Sequence, residues 1–305
     1  MSNNSEYNTF LTAKRVVLAD SGKAVDSREI HPSLFPFQRD ATVWALRKGR
    51  AALWWDCGMG KTRAQLEWAR LLGKRTLIVA PLSVARQTVR EGAKIEVDVH
   101  YTRSGDDLSE GINITNYEMI EHFDPRSFGA VVLDESSILK ALSGVTRNKL
   151  VKMFSQTPYR LCCTATPAPN DFIELGNHAA FLGICTQAEM LSMFFVNANK
   201  QEAVEGLDGR IYERKGSNAG GQEWRLKHHA EKEFFRWLSG WAMSLTKPSD
   251  LGYEDDGFVL PPLNIIPTFV SDEADEYEGL FRQDLKGITD RIRVRRETIG
   301  TKLER

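Results

Sequence analysis

Apolar residues in this chain follow two rhythms. Short apolar-rich runs recur at positions 51–55, 76–79, 97–101, 112–115, 130–133 and 160–164, each of strand length. Between them, apolar positions are spaced for a single helical face. Ala41, Trp44 and Ala45 mark such a face in a segment that starts at Pro36 and stops at Gly49, the expected placement of proline and glycine around a helix. Lys61–Leu72, closed by Gly73, reads as a second helix, 85–94 as a third, and 148–154 lies in a fourth. Strands this short suit a sheet buried on both sides. The pattern predicts an α/β fold, a mostly parallel sheet with helices on both faces.

The alternation fades outside that stretch. Residues 1–30 show only one short strand, at 15–18. Residues 200–227 are polar and include Gly216-Ser217-Asn218-Ala219-Gly220-Gly221, which reads as a mobile loop. Phe234, Leu238, Trp241 and Leu245 then recur at helical spacing and predict one amphipathic helix. Pro261-Pro262 breaks the chain. Beyond it, 264–270 reads as a strand, and Tyr277, Leu280, Phe281, Leu285 and Ile288 mark a helix ahead of a basic tail, 291–305.

Composition narrows the class. The 305 residues are 42% apolar and 27% charged, as in ordinary soluble globular proteins. A net charge of −1 supplies no global pull toward nucleic acid or membrane, so any such contact must come from a local basic surface. Cys57, Cys162, Cys163 and Cys185 form no CxxC pair, which favours a reduced thiol set over a disulfide framework. The polar start has no signal-peptide core, and no apolar stretch approaches the ~20 residues of a membrane span, so a cytoplasmic or nucleic-acid-associated location is expected.

Two motifs carry chemistry. After the 51–55 run comes Gly58-Met59-Gly60-Lys61-Thr62, opening a helix. Glycines let backbone N–H groups turn inward on an anion, and the helix N-terminus adds its positive end. Lys61 suits β- and γ-phosphates, and the Thr62 hydroxyl suits magnesium. The strict GxxxxGK[ST] pattern asks for glycine where Trp55 stands. The second motif, Asp134-Glu135, closes the 130–133 run, where ligands bind at the carboxyl ends of parallel strands. Asp134 suits the metal, and Glu135 suits a general base on the attacking water. Catalytic roles are thus expected at Lys61, Asp134 and Glu135, with ATP and Mg2+ as cofactors held by Gly58, Met59, Gly60, Lys61 and Thr62, and the metal by Thr62 and Asp134.

Over roughly 34–262 the chain resembles superfamily-two helicases, in particular Swi/Snf-type DNA-translocating ATPases. Phe35-Pro36-Phe37-Gln38 is similar to the segment whose glutamine reads the adenine edge, and Asp56–Thr62 to motif I, which in that family often lacks the early glycine. Pro81-Leu82-Ser83 onward to Glu91 resembles motif Ia, with Thr88 in place of tryptophan, and Thr115-Asn116-Tyr117-Glu118 the next DNA-side motif. Asp134-Glu135-Ser136-Ser137-Ile138-Leu139-Lys140 is similar to motif II, with Ser137 at the histidine, and Thr164-Ala165-Thr166-Pro167 with Asn170 to motif III. Pro248-Ser249-Asp250-Leu251 and Leu260-Pro261-Pro262 resemble the approach to a second lobe. The resemblance implies a RecA-like P-loop ATPase lobe with a helical insertion. It implies binding to DNA, double-stranded and without sequence preference, with contact or coupling at Pro81, Ser83, Thr115, Tyr117, Thr164 and Thr166, and Gln38 as part of the nucleotide site.

It implies four segments: an N-terminal stretch 1–33, the ATP-binding lobe 34–180, a mostly helical insertion 181–262, and 263–305 as linker and beginning of a second lobe. That last stretch is too short for a domain. A second lobe is therefore expected from elsewhere, and weak hydrolysis from this chain alone, since an arginine finger supplied by a partner domain is worth on the order of 10³–10⁵ in turnover. Two other readings stay open. One is a phosphoryl-transfer enzyme unrelated to DNA. The other is a non-catalytic, nucleotide-gated DNA-binding or assembly module completed by a lobe in trans. Plainer roles also stand beside the sharper ones. Trp54-Trp55 suits core as well as an adenine platform, and His228-His229 reads as a solvated pair. Lys200, Arg210, Arg214, Lys215, Arg225 and Lys227 read as a solvated loop or a DNA-contacting insertion.

Overall fold

A computed structural model describes residues 19–141, 144–197, 203–205, 211–213 and 224–259. The chain divides into two compact units, Met1–Phe258 and Val259–Arg305. The described helices and strands all lie in the first. The strand expected at 15–18, the elements expected beyond Pro262, and most of the glycine-rich loop fall outside the described residues.

The helix α1 (Pro36–Lys48) leads into strand β1 (Arg50–Trp55), helix α2 (Lys61–Leu72), β2 (Thr76–Ala80) and α3 (Leu82–Lys94). Then follow β3 (Val99–Tyr101), β4 (Ile112–Asn116), β5 (Ala130–Asp134), α4 (Ile138–Ala141), α5 (Gly144–Met153), β6 (Tyr159–Thr164), α6 (Leu175–Leu182) and α7 (Gln187–Phe194). Short strands β7 (Phe195–Asn197), β8 (Ala203–Glu205), β9 (Ile211–Glu213) and β10 (Trp224–Leu226) precede α8 (Glu231–Ser239) and β11 (Ala242–Leu245). Seven strands form one sheet in the order β11-β1-β6-β5-β2-β4-β3, every neighbouring pair parallel. The smaller strands pair antiparallel as β7 with β10 and β8 with β9.

Side-chain alternation along each strand splits the interior into two layers. Ala51, Leu53, Trp55, Ile78, Val132 and Leu161 face one way, under the first three helices, among Phe37, Ala41, Leu66, Trp68 and Ala85. Ala52, Trp54, Leu77, Val79, Val131, Leu133 and Cys162 face the other, under the later helices, among Phe154, Phe181, Phe234 and Trp237. This is the α/β sheet with both faces covered that the short runs predicted, and it is the RecA-like arrangement that the resemblance implied. Trp54 and Trp55 are both core: Trp55 lies against Phe37, and Trp54 meets Trp241 edge-on with ring centroids 5.3 Å apart.

One expectation fails. The stripe from Phe234 to Leu245 is not one helix. Helix α8 ends at Ser239, and Leu245 is the last residue of β11, paired with Trp55. Ala52 N–H donates to the Trp241 carbonyl and Asp56 N–H to the Leu245 carbonyl, so the chain returns as a seventh strand at the sheet edge. Both a helix face and a short strand bury residues at such spacings. Gly240, where the helix stops, was the only local sign of the change.

Candidate active site

The strand order explains why distant segments meet. β6 lies between β1 and β5, so the loop after β1 and the acidic pair after β5 are two strands apart, ~10 Å. At their carboxyl ends Trp54 pairs with Thr164, and Asp134 with Cys163.

The loop after β1 needs its glycines. Gly58 and Gly60 both sit at φ 83°, a region that disfavours any side chain. A Cβ on Gly58 would meet open space, whereas one on Gly60 would stand 2.2 Å from Gln38 Nε2. Met59 points into the core. Lys61 and Thr62 open α2, both half-buried, and the Lys61 ammonium donates to the carbonyls of Trp55 (2.9 Å) and Asp56 (3.2 Å). Gln38 is buried and fastened to this loop. Its Nε2 donates to the Met59 carbonyl (2.9 Å), and its Oε1 accepts from Phe35 N–H (3.0 Å).

The acidic pair is held just as closely. Asp134 is only 4% exposed. Its Oδ2 accepts from Gln65 Nε2 (3.1 Å), its Oδ1 from Glu135 N–H (3.1 Å), and its main-chain carbonyl from the Tyr117 hydroxyl (2.8 Å). Burial pushes the Asp134 carboxyl pKa up. The Gln65 bond and the nearby Lys61 ammonium pull it down, and the Glu135 charge pushes it up further. Lys61 opens the helix that also carries Gln65. Gln65 lies one helical turn beyond it on the same face and touches the carboxylate directly. Glu135 takes a left-handed backbone, φ 51°, and its Oε2 accepts from Thr164 Oγ1 (3.3 Å). Thr164 Oγ1 also accepts from Thr166 N–H (3.1 Å), joining the segment after β6 to the acidic pair.

The expected DNA-side residues separate into two groups. Pro81 caps α3, whose exposed side carries Ser83, Arg86, Gln87 and Arg90, a surface that includes two guanidinium heads. Thr166 is exposed as well. Thr115 is 0% exposed in β4, which is buried along its whole length, so of the two expected roles the structure leaves it coupling through the core. Tyr117 is buried with its hydroxyl turned to Asp134, and the exposed residues of its turn include Glu118 and Glu121, whose charge repels phosphate. Thr164 is buried too and acts on Glu135, not at a surface. Main-chain position does not say which side of a fully covered strand a side chain takes.

Sequence reading missed Gln65 and His178. Gln65 is fully buried and its Oε1 has no protein partner, an orphaned acceptor beside the carboxylate. His178, on α6, donates from Nε2 to the Ser136 carbonyl (3.1 Å) and lies 5.7 Å from the Trp54 ring. Burial lowers its pKa to about 4, so it is neutral. A polar residue at the buried phase of a helix was the one signal available for each. Among the described residues no cluster of His, Cys, Asp or Glu forms a metal site of its own, His228-His229 included. The donors present, the buried Asp134 carboxylate and the Thr62 hydroxyl, are hard oxygens of the kind magnesium takes. Among the described residues no helix is long and apolar enough to cross a membrane.

Solved structures give the fold a context. The Sulfolobus solfataricus SWI2/SNF2 ATPase core, solved in complex with dsDNA, matches with a TM-score of 0.54 at 19% identity, over 73% of this chain and 47% of that one. The UvsW helicase from bacteriophage T4 matches at 12% identity over 60% and 66% (TM-score 0.41), and the Pyrococcus furiosus Hef helicase domain at 15% over 53% and 39% (TM-score 0.40). The chain spans about half the length of the SWI2/SNF2 core. No protein-family model and no curated protein matches the sequence. The chain shares the fold of the SWI2/SNF2 ATPase core over most of its length.

Proposed function

We propose that the chain is the ATP-binding lobe of a DNA-dependent ATPase, with magnesium-ATP hydrolysis coupled to movement along duplex DNA. The reading is carried by one observation: Lys61, the buried Asp134 and Glu135 converge at the carboxyl ends of three consecutive parallel strands, β1, β6 and β5, tied together through Gln65 and Thr164. Lys61 exchanges its two carbonyl partners for phosphate oxygens, and the loop N–H groups enclose the anion. Thr62 and Asp134 hold magnesium, which when bound neutralises phosphate charge. Glu135, steadied by Thr164, takes the proton of the attacking water. Gln38 keeps one N–H and one lone pair for the adenine edge.

DNA lies across the exposed side of α3 and near Thr166, held by phosphate contacts from Arg86 and Arg90. The dsDNA in the complex of the SWI2/SNF2 core favours duplex as the track. The lobe takes in 34–180 together with the returning strand β11, and the segment between them is its insertion. A fluorescent ATP analogue titrated with and without duplex DNA tests the proposal. Binding should require magnesium, be tightened by DNA, fall steeply with salt in its DNA-dependent part, and weaken at least ~10-fold in Lys61→Ala. Affinity indifferent to DNA would favour a phosphoryl-transfer enzyme unrelated to nucleic acid, and affinity indifferent to Lys61→Ala would sink the nucleotide site.

A further inference from the structure

We propose that Tyr117 is a positioning residue, whose hydroxyl latches the Asp134–Glu135 peptide in the backbone form that presents both carboxylates to the phosphate loop. The inference deepens the proposed ATPase function and rests on it. Glu135 is one of only two non-glycine residues with positive φ among the described residues. A side chain disfavours that conformation, which persists where neighbours over-determine it. The peptide plane between Asp134 and Glu135 sets this φ, and Tyr117 bonds to its carbonyl oxygen at 2.8 Å. The other restraints act elsewhere. Gln65 and Glu135 N–H hold the Asp134 carboxylate, Thr164 holds the Glu135 carboxylate, and Ser136 N–H donates to the Cys163 carbonyl (2.9 Å). Among the described residues no other side chain bonds to the Asp134 carbonyl.

Tyr117 is well placed for the task. Its ring is buried in the core cluster with Leu77, Val79 and Leu133, so the hydroxyl is delivered by a packed side chain. Burial next to Asp134 holds its pKa well above the ordinary tyrosine value, so the group stays a donor. It comes from the end of β4, two strands beyond β5. Among the described residues its hydroxyl makes the only side-chain bond that joins the acidic pair to that side of the sheet.

Tyr117→Phe in the full 305-residue chain keeps the ring and removes only the latch. Two measurements decide the matter. The first is the affinity for a fluorescent ATP analogue with and without magnesium. The second is amide hydrogen exchange, read by mass spectrometry across residues 130–141. The expected result is a magnesium-dependent gain in affinity reduced about 5-fold, the ordinary worth of one buried hydrogen bond, with magnesium-free affinity within about 2-fold of wild type. Exchange around Glu135 should quicken by a similar factor. Equal losses with and without magnesium would mark Tyr117 as packing alone and overturn the proposal, as would unchanged exchange or an unchanged magnesium gain. If the wild-type chain binds no nucleotide, the ATPase reading fails by itself. Exchange then decides the latch, a local quickening upholding it and no change overturning it.

Discussion

Alanine at Gly60 should cost far more than alanine at Gly58, although both glycines share the same φ of 83°. The backbone penalty is common to the two, ~1–2 kcal/mol for a side chain in the left-handed region. What differs is Gln38. A Cβ at position 60 comes within 2.2 Å of Gln38 Nε2, while one at position 58 meets nothing within 4 Å. Nε2 is the end of a flexible side chain, so it swings aside instead of clashing. Doing so gives up the bonds to the Met59 carbonyl and from Phe35 N–H, about 1 kcal/mol each net. Gly60→Ala should therefore destabilise by roughly 3–4 kcal/mol and Gly58→Ala by roughly 1–2. Urea unfolding of the two variants, followed by tryptophan fluorescence, reads the difference as a shift in midpoint at constant slope. The cycle with Gln38→Ala isolates the cause. In that background Gly60→Ala should cost only its backbone part, leaving a coupling of about 2 kcal/mol. Equal costs at positions 58 and 60, or no coupling to Gln38, would refute the argument that Gln38 braces the loop.

Asp134→Asn should stabilise the unliganded chain while abolishing magnesium-dependent nucleotide binding. The folded pKa of Asp134 is raised by burial, so its ionised form opposes folding. The variant's advantage in melting temperature should be absent below the unfolded carboxyl pKa and grow as pH rises through the folded one. His178→Gln should flatten the acid limb of stability. With a folded pKa of about 4 against an ordinary 6.5, His178 is protonated mainly after unfolding, and stability worth about 3 kcal/mol is lost as pH falls from 6.5 through 4. A melting curve series over that pH range that looks the same in both proteins would sink this. Gln65→Leu removes a bond that holds the Asp134 pKa down and leaves Asp134 Oδ2 without that donor. The acid limb of magnesium-dependent nucleotide binding should move to higher pH, with a loss of stability of about 1–3 kcal/mol in the unliganded chain.

What the sequence disclosed follows from what each local signal encodes. The apolar runs marked six strands of the main sheet because a strand covered on both faces must be apolar at almost every position, as β5 is. The turn after β1 was legible because Gly58 and Gly60 answer to a left-handed backbone and Lys61 opens a helix, both local properties. The seventh strand was not, since β11 has four residues at an edge and borrows its order from β1. The bracing contacts were hidden for the same reason. Tyr117 and Thr164 were singled out for the DNA side, and Gln65 and His178 not at all, because all four act across strand or helix contacts and nothing in their own neighbourhoods announces the partner.

Those braces explain why the acidic pair combines two unfavourable features. Asp134 is a buried carboxylate and Glu135 a side chain in left-handed backbone, and each opposes folding. A loop free to relax would turn Asp134 toward water and Glu135 into an ordinary turn. Four side chains from four different elements prevent this: Gln65 from α2, Tyr117 from the turn after β4, Thr164 from β6 and His178 from α6, the last through the neighbouring Ser136 carbonyl. Removing any one should lower the cost of relaxation and leave the rest in place. Single substitutions should therefore loosen the pair by degrees, and a double substitution such as Gln65→Leu with Tyr117→Phe should do so by more than the sum, because each brace limits the motion the other would permit. Amide exchange at Glu135 measures that excess directly, and strictly additive rates in the double variant would mean that the braces act independently on a pair that holds its own shape.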